Sequence, residues 1–149
     1  MQRPTTTPTM ARRLYRDAGL TLIELLVVLG ILALLATVAA PQVLRYLGKA
    51  RSETAKVQIN AISSAIELYA LDNGGYPAAQ TGLSALMQPP AGASRWQGPY
   101  LKKAEGLTDP WGRTYQYRAP GRSGPFEVFT LGRDNAPGGT GEDQDVSSN

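Results

Sequence analysis

No cysteine and no histidine occur anywhere in this chain. The first absence excludes disulfides and thiol chemistry, the second excludes imidazole base chemistry, and together they remove the usual zinc sites. A folded domain built from such a chain is held by packing, by a hard metal ion or by its neighbours. Net charge is scarce as well. The formal +3 belongs to residues 1–19: once Arg3, Arg12, Arg13, Arg16 and Asp17 are set aside, eleven basic and eleven acidic side chains remain. A neutral remainder gives no electrostatic reason to bind nucleic acid. No phosphate-binding loop is present either, so any nucleotide-driven motor must be a partner. With scattered Ser, Lys and acids and no convergent catalytic set, an anchored enzyme is the weakest reading, and the chain is read as non-enzymatic.

Charge is lacking most completely between Leu20 and Ala40, where Glu24 is the sole ionisable residue in 21. Wound as an α-helix, that run reaches about 31 Å, the thickness of a bilayer's hydrocarbon core. The flanks do not decide its orientation. Four arginines precede it, and Arg45, Lys49, Arg51 and Lys56 follow it, so the positive-inside comparison is nearly tied. A cleaved secretory signal could be cut after Ala39 or Ala40, but Glu24, the length of the run and Pro41 oppose it. A plain single-pass anchor explains the length and leaves Glu24 as a cost of up to about 3 kcal/mol. Cleavage after Gly19 gives the acid a partner, because the new α-amine at Leu20 is one helical turn from Glu24. A carboxylate there also suits the positive end of the helix dipole. Between assembled copies the same pairing would reject wrong registers, since an unpaired ion in low dielectric is costly.

Gly19-Leu20-Thr21-Leu22-Ile23-Glu24 resembles the class III signal sequence of type IV pilins and pseudopilins, with Leu20 where the family usually has Phe. The resemblance implies a leader over 1–19, cut by a prepilin peptidase, N-methylation at Leu20, and an assembly role for Glu24. Translation from Met10 would leave a ten-residue leader.

Beyond Pro41, Ala55, Ile59, Ile62, Ile66 and Tyr69 repeat at helical spacing, and Asn73-Gly74-Gly75 with Pro77 makes a stop. The spacing predicts a helix from about Leu20 to Asp72, weakened near Gly30 and Pro41 by a kink or melted stretch. Thr81–Met87 reads as one or two helical turns. Thr114–Arg118 and Phe126–Leu131 read as half-buried strands joined by a turn-rich connector. Trp111 and the tyrosines read as packing residues. The fold class is α+β, a long N-terminal helix against a small antiparallel sheet.

The last segment carries Asp134, Gly138-Gly139-Thr140-Gly141, Glu142, Asp143 and Asp145. Composition alone reads this as a solvated, disordered acidic tail. Its glycines and hard oxygen ligands also suit calcium, although the spacing is not that of an EF-hand. Leu71-Asp72-Asn73-Gly74-Gly75-Tyr76-Pro77, Gly98-Pro99-Tyr100-Leu101, Asp109-Pro110-Trp111-Gly112 and Leu131-Gly132-Arg133-Asp134 with the glycine-rich acidic run resemble the major pseudopilin family of bacterial type II secretion systems. That resemblance implies a pilin-like fold and a calcium site formed by the Leu131 carbonyl, Asp134, Thr140, Asp143 and Asp145. It implies a membrane helix over 20–40 and a periplasmic domain over 41–149. The implied function is that of a structural subunit in the inner membrane that polymerises with itself into a pseudopilus. Its implied partners are minor pseudopilins, membrane lipid, the assembly platform and the secretion ATPase. A type IV pilin for adhesion, motility or DNA uptake is the alternative, one that often closes its C-terminal region with a cysteine pair.

Processing between Gly19 and Leu20 is directly testable. Intact mass of the membrane-extracted protein should correspond to a chain starting at Leu20, with or without one methyl group. A start at Ala40 or Pro41, or retention of Arg12 and Arg13, contradicts the prepilin reading.

Overall fold

The computed structural model describes residues 21–148; the expected cleavage site at Gly19 and Leu20 lies outside them. Helix α1 runs Leu22–Asn73, and the chain divides into two compact units at the Ala40–Pro41 boundary. Thr21 opens the helix, its hydroxyl accepting the Glu24 amide proton at 3.3 Å and its carbonyl accepting that of Leu25 at 3.2 Å. That arrangement is an N-cap, and Thr21-x-x-Glu24 is the sequence form of a capping box.

In the first unit α1 is apolar on all sides. Leu22, Ile23, Leu26, Leu29 and Leu34 are all exposed, and the helix is long and apolar enough to cross a membrane, with none of its most apolar window buried. The expected weakening at Gly30 and Pro41 does not take the form of a melted stretch, since both residues are helical. Proline removes one backbone hydrogen bond, a loss confined to one turn of a 52-residue helix.

In the second unit one face of α1 meets the rest of the domain. Ala55, Ile59, Ile62, Ile66 and Tyr69, the residues that the periodicity selects, are all buried, together with Ala65. Against them pack Leu83, Ala85 and Leu86 from a 3-10 turn over Gly82–Leu86, and Tyr115, Phe126, Val128 and Val146 from the sheet and its approach. Each fully buried isoleucine contributes about 1.5–3 kcal/mol of transfer free energy. The helix ends where the sequence places its stop. Gly74 takes φ +79°, Arg95 donates to the Asn73 carbonyl at 2.8 Å, and the Tyr100 hydroxyl donates to Asp72 at 2.8 Å. Tyr100 is fixed in turn by edge-on rings of Tyr69 and Trp96 at 5.5 and 5.7 Å.

The sheet has three antiparallel strands in the order β1 (Gln116–Arg118), β2 (Glu127–Thr130), β3 (Val146–Ser147). β1 and β2 lie inside the two expected strands and are shorter, while β3 is unanticipated. β2 is also more deeply buried than a half-buried strand, because Glu127, Val128 and Thr130 are all covered. Its polar residues are tolerated because each is matched. Glu127 faces Arg118 across the β1–β2 register, with an ion pair at 3.2 Å, and Thr130 donates to Asp109 at 2.6 Å.

Asp109 is a structural node. Its side chain is fully buried, and besides Thr130 it accepts the backbone amides of Trp111 at 3.0 Å and Arg113 at 2.8 Å. Asp109→Ala strands two amides and a buried hydroxyl at once, and should cost about 3–5 kcal/mol. Asp109→Asn keeps an acceptor for the amides and should cost less. Denaturant unfolding of both variants checks this; wild-type midpoints for both would contradict the assignment.

Candidate functional site

The segment expected to hold a metal is an ordered loop closed onto β2, not a loose tail. At its start Gly132 adopts φ +67°, and a Cβ there would lie 2.7–2.9 Å from backbone atoms of Glu142 and Asp143; only glycine allows the two ends of the loop to touch. The Arg133 amide donates to the Glu142 carbonyl at 2.8 Å. Gly138 and Asp145 are bonded twice, by Asp145 N–H to the Gly138 carbonyl at 3.1 Å and by Gly138 N–H to an Asp145 carboxylate oxygen at 3.1 Å. Beyond the loop, Val146 and Ser147 pair with Thr130 and Phe129, and the Ser148 amide donates to the Val128 carbonyl at 2.9 Å. The terminal residues that composition assigns to disorder therefore complete the sheet.

Arginine organises this loop, a role that the sequence pattern did not reveal. The Arg133 guanidinium spans both oxygens of Asp143 at 2.9 and 3.1 Å and reaches Glu142 at 3.1 Å. These hydrogen bonds to Asp143, and the charges behind them, raise Arg133 above its already high ordinary value. Arg113 donates to the carbonyls of Gly132 and Arg133 from the strand approach. Glu142 joins the loop to α1: it pairs with Arg51 at 3.3 Å and packs against the buried Gly48, where a Cβ would collide with it. The signals available in the sequence were Gly48, the one buried glycine of the helix, and the alternation of acids with Arg133 across a glycine-rich turn.

The expected metal-binding residues are distributed as follows. Asp145 turns one oxygen to Gly138, while its Oδ1 is buried without a hydrogen-bond partner. Asp134 is exposed, with Oδ1 accepting the Ala136 amide at 3.1 Å. Thr140 is exposed, its carbonyl accepting from Asp143 at 3.2 Å. Leu131 precedes the Gly132 turn. Asp143 faces Arg133. Among the described residues no three acids are grouped closely enough to hold a metal ion; Arg133, Thr140, Glu142, Asp143 and Asp145 line one hollow against α1, and Asp134 is not among its lining residues. The donor set still fits a hard cation at Asp145, because an unpartnered buried carboxylate oxygen calls for a positive charge. Glycine-rich turns next to it offer carbonyls, and Asp143, whose two oxygens are on Arg133, would have to exchange that arginine for the metal to join the set.

Residues 42–149 match the family model described as Type II secretion system (T2SS), protein G, and residues 14–40 match the prokaryotic N-terminal methylation motif. Type II secretion system core protein G of Pseudomonas aeruginosa is 43% identical over 143 residues, covering 93% of this chain and 98% of that protein. Those of Xanthomonas campestris and Vibrio cholerae are each 37% identical, over 87% and 92% of this chain and 88% and 94% of theirs. A solved structure, the major pseudopilin from the type 2 secretion system of enterohaemorrhagic Escherichia coli, aligns with a TM-score of 0.55 at 29% identity, over 67% of this chain and 87% of that one. These relatives favour the secretion reading over an adhesive or competence pilin, and the chain belongs to the protein G family of type II secretion systems.

Proposed function

We propose that this chain is the major structural subunit of a pseudopilus that assists export of folded proteins across the outer membrane. The observation that carries the reading is the match along nearly the whole chain to core protein G, with the methylation motif placed over the start of the apolar helix. In this reading a prepilin peptidase cuts after Gly19, and the Leu20 amine is methylated. The mature subunit waits in the inner membrane with residues 41–149 in the periplasm. An assembly platform and its ATPase then draw copies into a homopolymer, with minor pseudopilins as further partners. Transfer of Leu20–Ala40 from lipid to an apolar filament interior gains little hydrophobic free energy, so an external motor can drive assembly and subunits can return.

Glu24 is the assembly residue in this reading. The Thr21 hydroxyl caps the Glu24 amide, and in this reading the Glu24 carboxylate pairs with the amine of its own or a neighbouring chain. Glu24→Ala should insert in the membrane normally and fail to form filaments, measured by crosslinking in membranes. Normal crosslinked ladders from the variant would contradict the role.

Calcium is the cofactor of this reading, held by Asp145 and Asp134 with carbonyl oxygens of the loop, among them Leu131, and with Thr140 and Asp143 as the outer members of the set. When bound it supplies a divalent charge that ties the two sides of the loop together. The chain in detergent should melt at higher temperature in calcium than in chelator, by an amount equivalent to about 2.7 kcal/mol at one hundred times Kd. Magnesium should substitute poorly, because it demands tight octahedral geometry. Asp134→Ala and Asp145→Ala should each melt in calcium as the wild type does in chelator. A wild-type melt that is the same in chelator, calcium and magnesium would contradict calcium binding.

A further inference from the structure

Four basic side chains follow the apolar run within sixteen residues of Ala40, on the side of the membrane that the positive-inside tendency leaves poor in them. Two are used inside the protein. Arg51 pairs with Glu142 at 3.3 Å and Lys56 with Glu53 at 3.0 Å. Arg45 and Lys49 have no acidic partner among the described residues. Glu53, one turn beyond Lys49, is taken by Lys56, and Glu142 is taken by Arg51 and Arg133.

The two unpaired cations stand on one helical face. Gln42, Arg45, Tyr46 and Lys49 have the i, i+3, i+4, i+7 spacing that superposes side chains along a helix, and together they line a shallow open depression of about 250 Å³ with no acid in it; Arg45 and Lys49 also border the larger hollow toward the terminal loop, which Glu53, Glu142, Asp143 and Asp145 line without an ion pair to either. All four are exposed, Tyr46 at 73%. Arg45 comes five residues, and Lys49 nine, after the last residue of the apolar run in the same helix. That is the stretch of chain that a headgroup layer covers.

We infer that Gln42, Arg45, Tyr46 and Lys49 form a docking face for anionic phospholipid headgroups of the periplasmic leaflet, which holds the membrane-resident subunit at a fixed depth before it enters a filament. The inference rests on the proposed orientation, with the N-terminus cytoplasmic and the domain periplasmic. The chemistry is matched group by group. A guanidinium offers two parallel N–H donors to one phosphate, the ammonium adds a second charge that can reach along the helix, and a tyrosine ring prefers the level of the headgroups. An acidic surface on a second copy would satisfy the cations equally. It would give no reason for an exposed aromatic beside the end of a membrane-length run, and the lipid surface gives one.

The membrane-extracted chain, reconstituted in phosphatidylcholine vesicles with trace spin-labelled phosphatidylglycerol or phosphatidylcholine, reports how tightly each lipid is held through the immobilised fraction of its label. Wild type should prefer phosphatidylglycerol about threefold or more. The preference should fall toward unity in Arg45→Gln/Lys49→Gln and should shrink in wild type as salt rises, while Lys102→Gln/Lys103→Gln leaves it unchanged. The same selectivity in the Arg45/Lys49 double variant overturns the inference. If that variant keeps its selectivity and instead loses crosslinked multimers, the face belongs to a neighbouring copy and the lipid assignment is overturned. Absence of any immobilised lipid overturns membrane anchoring and this inference together; immobilised lipid without selectivity overturns this inference alone.

Discussion

Strands of two to four residues cannot sustain a sheet in water, so the domain depends on the apolar stripe of α1 from Ala55 to Tyr69 that the sheet covers. Every other feature is arranged around that contact. Tyr115 and Val128 reach it from the sheet, and Leu83 and Leu86 close one side. The Tyr115 hydroxyl donates to Gln58 of the helix at 2.7 Å, and burial, helped by the charge of Asp109, pushes its phenol well above the ordinary range. Without disulfides, this packing and the matched polar groups at Asp109 and Glu127 carry the stability of the domain.

The terminal loop extends the same logic. Its closure depends on charge: Arg133 on Asp143 and Glu142, Glu142 on Arg51, and Arg113 on two carbonyls. Exposed ion pairs of this kind contribute little individually, about 0–1 kcal/mol. The glycine contacts at Gly132 and Gly139 bring the strands of the loop together, and the arginines neutralise the acids that this approach crowds. In the proposed calcium-bound form the metal reinforces a closure that Arg133 already supports. Because Glu142 lies on Gly48, loop closure is also felt by α1 within the domain.

The helical stripe was legible because a period of 3.6 survives in sequence without knowledge of a partner, and the helix stop because Asn73-Gly74-Gly75 is local chemistry. The two longer strands were legible in place but not in depth. Glu127 reads as a surface residue until the register sets it opposite Arg118, and Thr130 until Asp109 arrives from 21 residues away. β3 is two residues long, too short for any alternation to be seen. At the candidate site, the acids and glycines were visible, but Arg133 as their organiser was not, because its pairing arises from the fold of the turn. The Thr21 cap is legible in the Thr-x-x-Glu spacing, although the prepilin pattern accounts for the same residues.

A single helix thus serves two environments, apolar throughout its first unit and one-sided in its second, which is what a subunit stored in a bilayer and used in a filament requires. The most direct test is deletion of the gene in the bacterium that carries it, with folded exoproteins followed in medium and periplasm. A pseudopilus role predicts that they accumulate in the periplasm and that the wild-type gene restores their release. Undiminished secretion, with loss of surface adhesion or motility in its place, would contradict it.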